Sequence, residues 1–214
     1  MVEILKMLLG WFDHFVLFYF LLFNSIFLVL VLAGGAEVIR ARRQVQPISL
    51  DEVFAYPLTP ATSVVVPAFN EELTIIDSVH GMLNLRYPSH EVVVVDDGST
   101  DRTFELLDEQ FDLEPIEIAV DPAIRVMGPI LGTYRSRVDN RLIVVRKVNI
   151  RTRSDAVNAG LAVASKTLVC MTDADSIFDP DALLLVARAY LRDPDRIVGI
   201  CGTIRAINGS SVTR

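Results

Sequence analysis

The stretch LVCMTDAD, residues 168–175, decides the fold class because a short apolar run ends abruptly in two aspartates. A run of four apolar residues is typical of a strand covered on both faces, as in parallel α/β sheets. In such sheets, ligands bind outside the carboxyl ends of the strands. Asp173 and Asp175 therefore fall beside a predicted crevice, where their hard oxygens suit Mg²⁺ or Mn²⁺ together with substrate phosphates.

The same two aspartates have a plainer interpretation, in which they cap the helix that follows. The segment DPDAL, residues 179–183, comes shortly afterwards and is typical of a helix start. Asp-x-Asp alone does not decide between a metal site and a cap, because the tripeptide is short and common. The choice depends on the rest of the chain.

Strands and helices alternate downstream of residue 62. Besides the run at 168–171, strands are predicted at residues 63–67, 91–95 and 142–145, with weaker candidates at 116–120 and 198–207. Helices are predicted at residues 73–85, 102–110, 153–164 and 182–192. Asn70 is expected to cap the first of these helices. This alternation predicts βαβ units and an α/β fold with a mostly parallel sheet.

Polar side chains follow two further strands at the point where each strand ends. The loop from Pro67 to Glu71 offers acceptors to a flat ring, and Asp96 and Asp97 precede a glycine. One of these carboxylates can accept the N–H of a base while its neighbour points into the sheet or caps the next helix. An ordinary Asp-Gly turn is the alternative. Carboxylates and a divalent cation at one sheet edge suit a nucleotide diphosphate.

The N-terminal part of the chain predicts a membrane anchor. Residues 15–33 carry no charge and are long enough to cross a hydrocarbon core of ~30 Å as a helix. The run is too long for a cleaved signal peptide, and no basic segment precedes it. The basic flank at residues 40–43 predicts that the following domain is cytoplasmic. The expected organisation has four parts: an interfacial segment at 1–14, a transmembrane helix at 15–36, a linker at 37–62 and a globular domain at 63–214.

Composition and missing motifs exclude several classes of function. A net charge of −7 argues against a nucleic-acid partner, which requires a clustered basic face. A nicotinamide dehydrogenase would need a G-x-G-x-x-G turn after a strand, and the sequence has none. A phosphorylatable receiver domain would need a lone aspartate on a later strand and a lysine beyond it, but no lysine follows Lys166.

Four motifs together resemble the family 2 inverting glycosyltransferases. They are VVVPAFNEE (64–72), VVVVDDGSTD (92–101), RSDAVNAG (153–160) and TDADSIFDPDAL (172–183). Within that family the chain is most similar to membrane-bound synthases of poly-N-acetylglucosamine, hyaluronan, chitin and cellulose. The resemblance implies a Rossmann-like GT-A fold, a UDP-sugar donor and Mg²⁺ or Mn²⁺. It also implies transfer of a hexose or N-acetylhexosamine to a glycan acceptor with inversion, by a single-pass protein of the cell (inner or plasma) membrane.

The resemblance assigns a role to each matching position. Ala68, Phe69 and Glu71 would line the uridine pocket, and Asp97 or its neighbour Asp96 would hold the uracil. Asp173 would contact the ribose or the metal, and Asp175 would ligate the metal that bridges the diphosphate. Arg153 stands where the family usually has the lysine of Gly-Lys-Ala-Asp-Ala-Leu-Asn, and is the candidate for the diphosphate.

The resemblance also implies motifs that this sequence lacks. It places the general base in a Thr/Ser-Glu-Asp motif, and in processive members adds a Gln-x-x-Arg-Trp motif; neither occurs here. An inverting transfer needs a base for the attacking hydroxyl. We therefore nominate no catalytic base and expect this chain to carry the donor-binding half, with a second chain as a possible source of the acceptor site. A non-catalytic nucleotide-sugar-binding or regulatory subunit is the alternative.

Overall fold

The computed structural model describes residues 2–43 and 48–202, which belong to two compact units, Met1–Pro47 and Ile48–Arg214. The first unit contains one helix, α1, Val2–Arg43. Its segment Gly10–Glu37 has a mean hydropathy of 2.7 and contains no buried residue, so it has the length and composition of a membrane span. A signal sequence near the N-terminus shares those properties. The helix has no break at residue 14, where the sequence predicts the change from interfacial to transmembrane.

The second unit is built on a six-stranded sheet in the order β3-β4-β5-β2-β1-β6. The strands are β1 Thr62–Ala68, β2 His90–Asp96, β3 Leu113–Ile116, β4 Ile130–Ser136, β5 Leu142–Lys147 and β6 Leu168–Met171. The pairings of β1 with β2, β1 with β6 and β2 with β5 are parallel, whereas β4 is antiparallel to both β3 and β5. The predicted α/β class with a mostly parallel sheet is confirmed.

Helices cover both faces of this sheet because successive strand residues point to opposite sides. The helices are α2 Leu50–Ala55, α3 Ile75–Leu83, α4 Thr103–Phe111, α5 Arg153–Val163 and α6 Ala182–Tyr190. Val64, Val92 and Val144 pack with side chains of α2, α3, α4 and α6 in one core. Their neighbours Val65 and Val93 pack against α5 in the second core. The continuous valine runs are therefore buried on both sides.

The sequence missed two elements and misplaced a third. Helix α2 lies inside the stretch predicted as a linker, and β4 lies in a stretch that carries no clear pattern. The strand predicted at 116–120 is instead β3, whose Pro115 is tolerated because β3 is an edge strand. Residues 198–202 form no strand, and the rest of that predicted strand lies outside the described residues.

Two local predictions are wrong. Helix α3 begins at Ile75, so Asn70 does not cap it; Asn70 instead has a φ of 58° in the loop before it. Strand β6 is not covered on both faces. It is the edge strand beside β1, and Val169 and Met171 are 41% and 62% exposed. Among the described residues, β6 is therefore covered on one face only, and its apolar run does not indicate burial on both faces.

Gly160 lets α5 lie close against the sheet. A Cβ atom at this position would come within 2.4 Å of Val65 Cγ1 and 3.0 Å of Val95 Cγ2. Real Cβ atoms do not approach so closely, and both valines are fully buried in strands. The close approach also fixes the start of α5 relative to the ends of β1 and β2.

We expect Gly160→Ala to destabilise the fold, because overpacking costs about 1–3 kcal/mol and exceeds the ~0.5–1 kcal/mol gain in helix propensity. Gly81→Ala is the matched control. Gly81 is also helical, but a Cβ there meets nothing within 4 Å. This control should stabilise the protein by about 0.5–1 kcal/mol. Calorimetric unfolding of the detergent-solubilised chain measures both, and equal midpoints for the two variants would contradict the packing argument.

Candidate functional site

A cleft of about 680 Å³ opens at the carboxyl ends of β1 and β2. Its wall is formed by three segments: Pro67, Ala68, Phe69 and Glu71 after β1; Asp97, Gly98 and Thr100 after β2; and Asn149, Arg151, Thr152, Arg153 and Ala156 around the start of α5. The cleft thus brings together five of the predicted site residues, Ala68, Phe69, Glu71, Asp97 and Arg153. It lies where parallel α/β sheets bind ligands. The role of each residue toward a ligand stays a prediction.

The two adjacent aspartates, Asp96 and Asp97, lie in different environments, although the sequence left either one as the candidate for holding the uracil. Asp96 is fully buried and is not part of the cleft wall. Its Oδ1 accepts the backbone N–H of Ser99 at 2.9 Å, and its Oδ2 lies 3.4 Å from Nε of Arg146. Asp96 therefore holds the turn around Gly98, which has a φ of 68°. Asp97 lies in the cleft wall and is 6% exposed.

Asp97 belongs to a buried charge cluster centred on Lys147. The Nζ of Lys147 lies 2.6 Å from Asp97 Oδ1 and 3.0 Å from Asp155 Oδ2, and it donates to the carbonyl of Val148 at 2.8 Å. Lys147 is fully buried, which would by itself lower the pKa of its ammonium. Hydrogen bonds to the two carboxylates outweigh burial and raise that pKa. Lys147 is therefore charged.

Asp155 anchors this cluster from the first turn of α5. Burial would raise the pKa of its carboxyl, but the backbone N–H groups of Met127 and Gly128 and the Lys147 ammonium together lower it. The two N–H groups donate at 2.6 Å and 2.9 Å. Asp155 thus ties the loop before β4 to the ammonium.

Hydrogen bonds interlock the loops after β1 and β2. The backbone N–H of Asn70 donates to Ser99 Oγ at 3.0 Å, and Asn70 Oδ1 accepts the N–H of Thr100 at 2.8 Å. The N–H of Glu71 donates to Thr103 Oγ1 at 2.8 Å. These bonds explain why Asn70 adopts a positive φ instead of capping α3. They fix one wall of the cleft to the other.

Asp173 and Asp175 follow β6 on an exposed turn and are not part of the cleft wall. Asp173 pairs with Arg153, which does line the cleft. The N-cap of α6 is Asp181, so the capping interpretation of Asp173 and Asp175 is wrong. Among the described residues, no group of three or more His, Cys, Asp or Glu side chains could hold a metal. Two carboxylates on one turn still fit Mg²⁺ or Mn²⁺, which often take one or two carboxylates and complete their shell with phosphates.

A model of glycosyl transferase family 2 matches residues 63–124 and 129–214. The chain belongs to glycosyl transferase family 2. The matched segments contain every strand of the sheet except the first residue of β1, and every residue of the cleft wall. The predicted family is confirmed, and with it the assignment of the chain to the glycosyltransferases.

Curated relatives in family 2 are longer than this chain. The poly-beta-1,6-N-acetyl-D-glucosamine synthase of Staphylococcus aureus (strain COL) is 26% identical over 202 residues, which cover 91% of this chain and 41% of that protein. The probable glycosyltransferase YdaM of Bacillus subtilis (strain 168) is 26% identical over 155 residues, which cover 71% of this chain and 31% of YdaM. The chain thus spans about two fifths or less of these relatives.

Solved structures of similar fold include two transferases. The mannosyltransferase PcManGT from Pyrobaculum calidifontis, in complex with GDP-Man and Mn²⁺, has a TM-score of 0.49 and 26% identity and covers 78% of this chain and 43% of that one. S. aureus TarS 1–349 in complex with UDP-GlcNAc has a TM-score of 0.46 and 23% identity, with coverages of 62% and 31%.

Sequence reasoning missed Arg146 and Lys147, although a signal for them was present. The segment LIVVRK, residues 142–147, ends in two cations just as VVVVDD, residues 92–97, ends in two carboxylates. The register pairs Asp96 with Arg146, so Asp97 and Lys147 follow on the opposite face. Comparing these two runs would have predicted two neighbouring strands whose oppositely charged ends pair.

We expect Asp155→Asn to lower the stability at neutral pH by about 3 kcal/mol, because one partner of a buried ion pair is removed. Its folded pKa is depressed, so the stabilisation by Asp155 is present above its unfolded-state pKa of about 4 and is lost as the pH falls through the lower folded value. The unfolding midpoint of the wild type should therefore fall more steeply than that of Asp155→Asn as the pH is lowered from 5 toward 2, a range set by these two pKa values.

Asp195→Asn removes the same charge from an exposed turn after α6 and serves as the control. Its midpoint should follow the wild type at every pH. Parallel profiles for the wild type and Asp155→Asn would contradict the assignment of an ionised, stabilising carboxylate at residue 155.

Proposed function

We propose that the cleft binds a UDP-sugar together with Mg²⁺ or Mn²⁺ and forms the donor site of a family 2 enzyme. The parent reaction transfers a hexose or N-acetylhexosamine to a glycan acceptor with inversion. The observation that supports this most directly is the position of Asp97, a buried and charge-stabilised carboxylate in the wall of a cleft at a sheet edge. Family 2 membership and similarity to a poly-N-acetylglucosamine synthase favour a sugar nucleotide as the ligand.

Each wall of the cleft supplies a different contact to such a donor. Asp97 accepts the N–H of the uracil ring, while Ala68 and the half-exposed Phe69 offer apolar surface to the base. Glu71 lies on the same loop and is placed to accept a hydroxyl or N–H of the uridine. Hydrogen-bond acceptors beside an apolar surface are typical of nucleotide pockets.

The diphosphate is assigned to the start of α5. Arg153 is the first residue of this 11-residue helix and lines the cleft. Helix N-termini favour anions because their first N–H groups lack partners within the helix, and an arginine fork adds charge-assisted bonds to phosphate. Arg153 also pairs with Asp173. The guanidinium proposed to bind phosphate therefore lies beside the carboxylates proposed to bind the metal.

Asp175 would hold the divalent cation, and Asp173 would contact either the cation or the ribose. A divalent cation held there would neutralise charge on the departing UDP. In the inverting reaction the acceptor hydroxyl attacks the anomeric carbon as its bond to UDP breaks, and a general base takes the hydroxyl proton. That base is not assigned to a residue of this chain. Its contribution is the binding and orientation of the donor.

Helix α1 is proposed as a single-pass anchor in the cell membrane. Its exposed apolar segment Gly10–Glu37 has the required length, and Arg40, Arg42 and Arg43 follow it. By the positive-inside rule, this flank favours a cytoplasmic location for the glycosyltransferase unit. A glycan acceptor is the second partner of the site, and a further chain could complete the acceptor side.

Titration calorimetry of the full chain in detergent tests the donor site. We expect UDP to bind in the presence of Mn²⁺, and Asp175→Ala to weaken this metal-dependent binding at least about tenfold, because a metal ligand is lost. Asp195→Ala removes a carboxylate from the exposed turn beyond α6 and should bind like the wild type.

The possible results separate the parts of the proposal. Absence of UDP binding with and without Mn²⁺ would refute a nucleotide site in this cleft. Binding that is indifferent to Mn²⁺, in the wild type and in Asp175→Ala alike, would retain the nucleotide site and refute the metal site.

A further inference from the structure

Lys147 uses all of its hydrogen-bonding capacity inside the protein. An ammonium has three N–H donors. Those of Lys147 are directed at Asp97, Asp155 and the carbonyl of Val148, at distances of 2.6, 3.0 and 2.8 Å. The cluster contains two carboxylates and one ammonium and is closed to solvent at Lys147 and Asp155. Only Asp97 also lies in the cleft wall.

The loop at residues 127–128 seals the ammonium from the other side. A Cβ on Gly128 would lie 2.9 Å from Lys147 Nζ, 3.0 Å from Asp155 Oδ2 and 2.6 Å from the Val148 carbonyl oxygen. No side chain therefore fits between this backbone and the cluster. The two matched segments of the family model leave out residues 125–128, so the sealing loop lies in a segment outside that match.

The arrangement leaves the two oxygens of Asp97 in different environments. Oδ1 is held by Lys147, and the residue is at the wall of the cleft. A carboxylate accepts hydrogen bonds, and the direction from which it accepts depends on how it is oriented. Without the ammonium, Asp97 Oδ1 would lose the hydrogen bond that fixes the orientation of its carboxylate. The ammonium therefore fixes how Asp97 presents its acceptor oxygens at the cleft wall.

We propose that Lys147 is a positioning residue that holds the Asp97 carboxylate in a fixed orientation at the cleft wall and so makes the cleft select uracil over cytosine. Uracil presents an N3–H donor to such an acceptor, whereas cytosine presents a lone pair at N3. This inference rests on the proposed function, because it assumes that the base of the donor meets Asp97. The inference adds Lys147 to the proposed donor site as a residue that does not itself touch the ligand.

A purely structural role for the cluster makes a different prediction. If Lys147 only stabilised the fold, its loss would lower the unfolding temperature and weaken all nucleotides alike. If it positions Asp97, its loss changes the ratio of UDP affinity to CDP affinity. This ratio is insensitive to a uniform loss of folded protein, because both nucleotides are measured on the same sample.

The experiment compares UDP and CDP binding, with Mn²⁺ present, by titration calorimetry of the full chain in detergent. The wild type should prefer UDP by at least about tenfold, the scale of one hydrogen bond to a charged group. In Lys147→Met this preference should fall about tenfold. The double variant Lys147→Met/Asp155→Asn removes the second carboxylate along with the cation. It should show the same loss of preference, and it replaces the single variant if that one does not fold.

Glu91→Gln is the control for stability. Glu91 is a buried carboxylate on the same strand as Asp96, and it accepts from Ser63 Oγ and Ser165 Oγ at 2.6 Å and 2.8 Å. It lies six residues before Asp97, about 20 Å away along the strand at ~3.3 Å per residue. Glu91→Gln should lower the unfolding temperature and keep the wild-type preference for UDP.

Each remaining outcome overturns the proposal in a recognisable way. A wild type that binds UDP and CDP equally shows that Asp97 does not select the base, and leaves the nucleotide site intact. An unchanged ratio in the Lys147 variants, or the same fall in Glu91→Gln, assigns the cluster to stability alone. A wild type that binds neither nucleotide refutes the proposed function and this inference together.

Discussion

The pairing of charges between the ends of β2 and β5 is the constraint on which the site depends. Asp96-Asp97 on one strand meets Arg146-Lys147 on its parallel neighbour, and the two pairs lie on opposite faces because side chains alternate along a strand. Arg146 also stacks on Phe104, 4.2 Å from the ring centroid, so one pair joins the α4 side of the sheet. The other pair joins the α5 side and borders the cleft.

Because the two charge pairs lie on opposite faces of the sheet, the two adjacent carboxylates have different structural roles. Asp96 is fully buried: one of its oxygens accepts the N–H of Ser99, and the other lies next to the guanidinium of Arg146. Asp97 is held by one oxygen and remains at the wall of the cleft. Removing charge from either side would leave a buried ion without a partner, which costs more than the pair contributes. The cleft therefore depends on charge balance as much as on shape.

The two sides of the cleft are held by different forces. On the β1–β2 side, backbone and side-chain hydrogen bonds among Asn70, Ser99 and Thr100 lock two loops together. On the α5 side, close packing of Gly160 on Val65 fixes the position of the helix. Arg153, the first residue of that helix, therefore lies in the cleft wall. The turn after β6 is exposed, and its Asp173 is linked to the cleft by an ion pair with Arg153. The part of the site proposed to bind the metal is thus the part with the least support from packing among the described residues.

The sequence by itself determined the α/β class, four strands and four helices to within a few residues, and the position of charged residues at the strand ends, because apolar runs and turn residues are local signals. It could not choose between Asp96 and Asp97, since that choice depends on which face each side chain takes and on cations some 50 residues away in the chain. It missed the role of Lys147 for the same reason. It also overestimated the burial of β6, because an apolar run does not say whether a strand is central or at an edge. Tertiary structure decided these points, since strand order and register set which charges meet and which faces are covered.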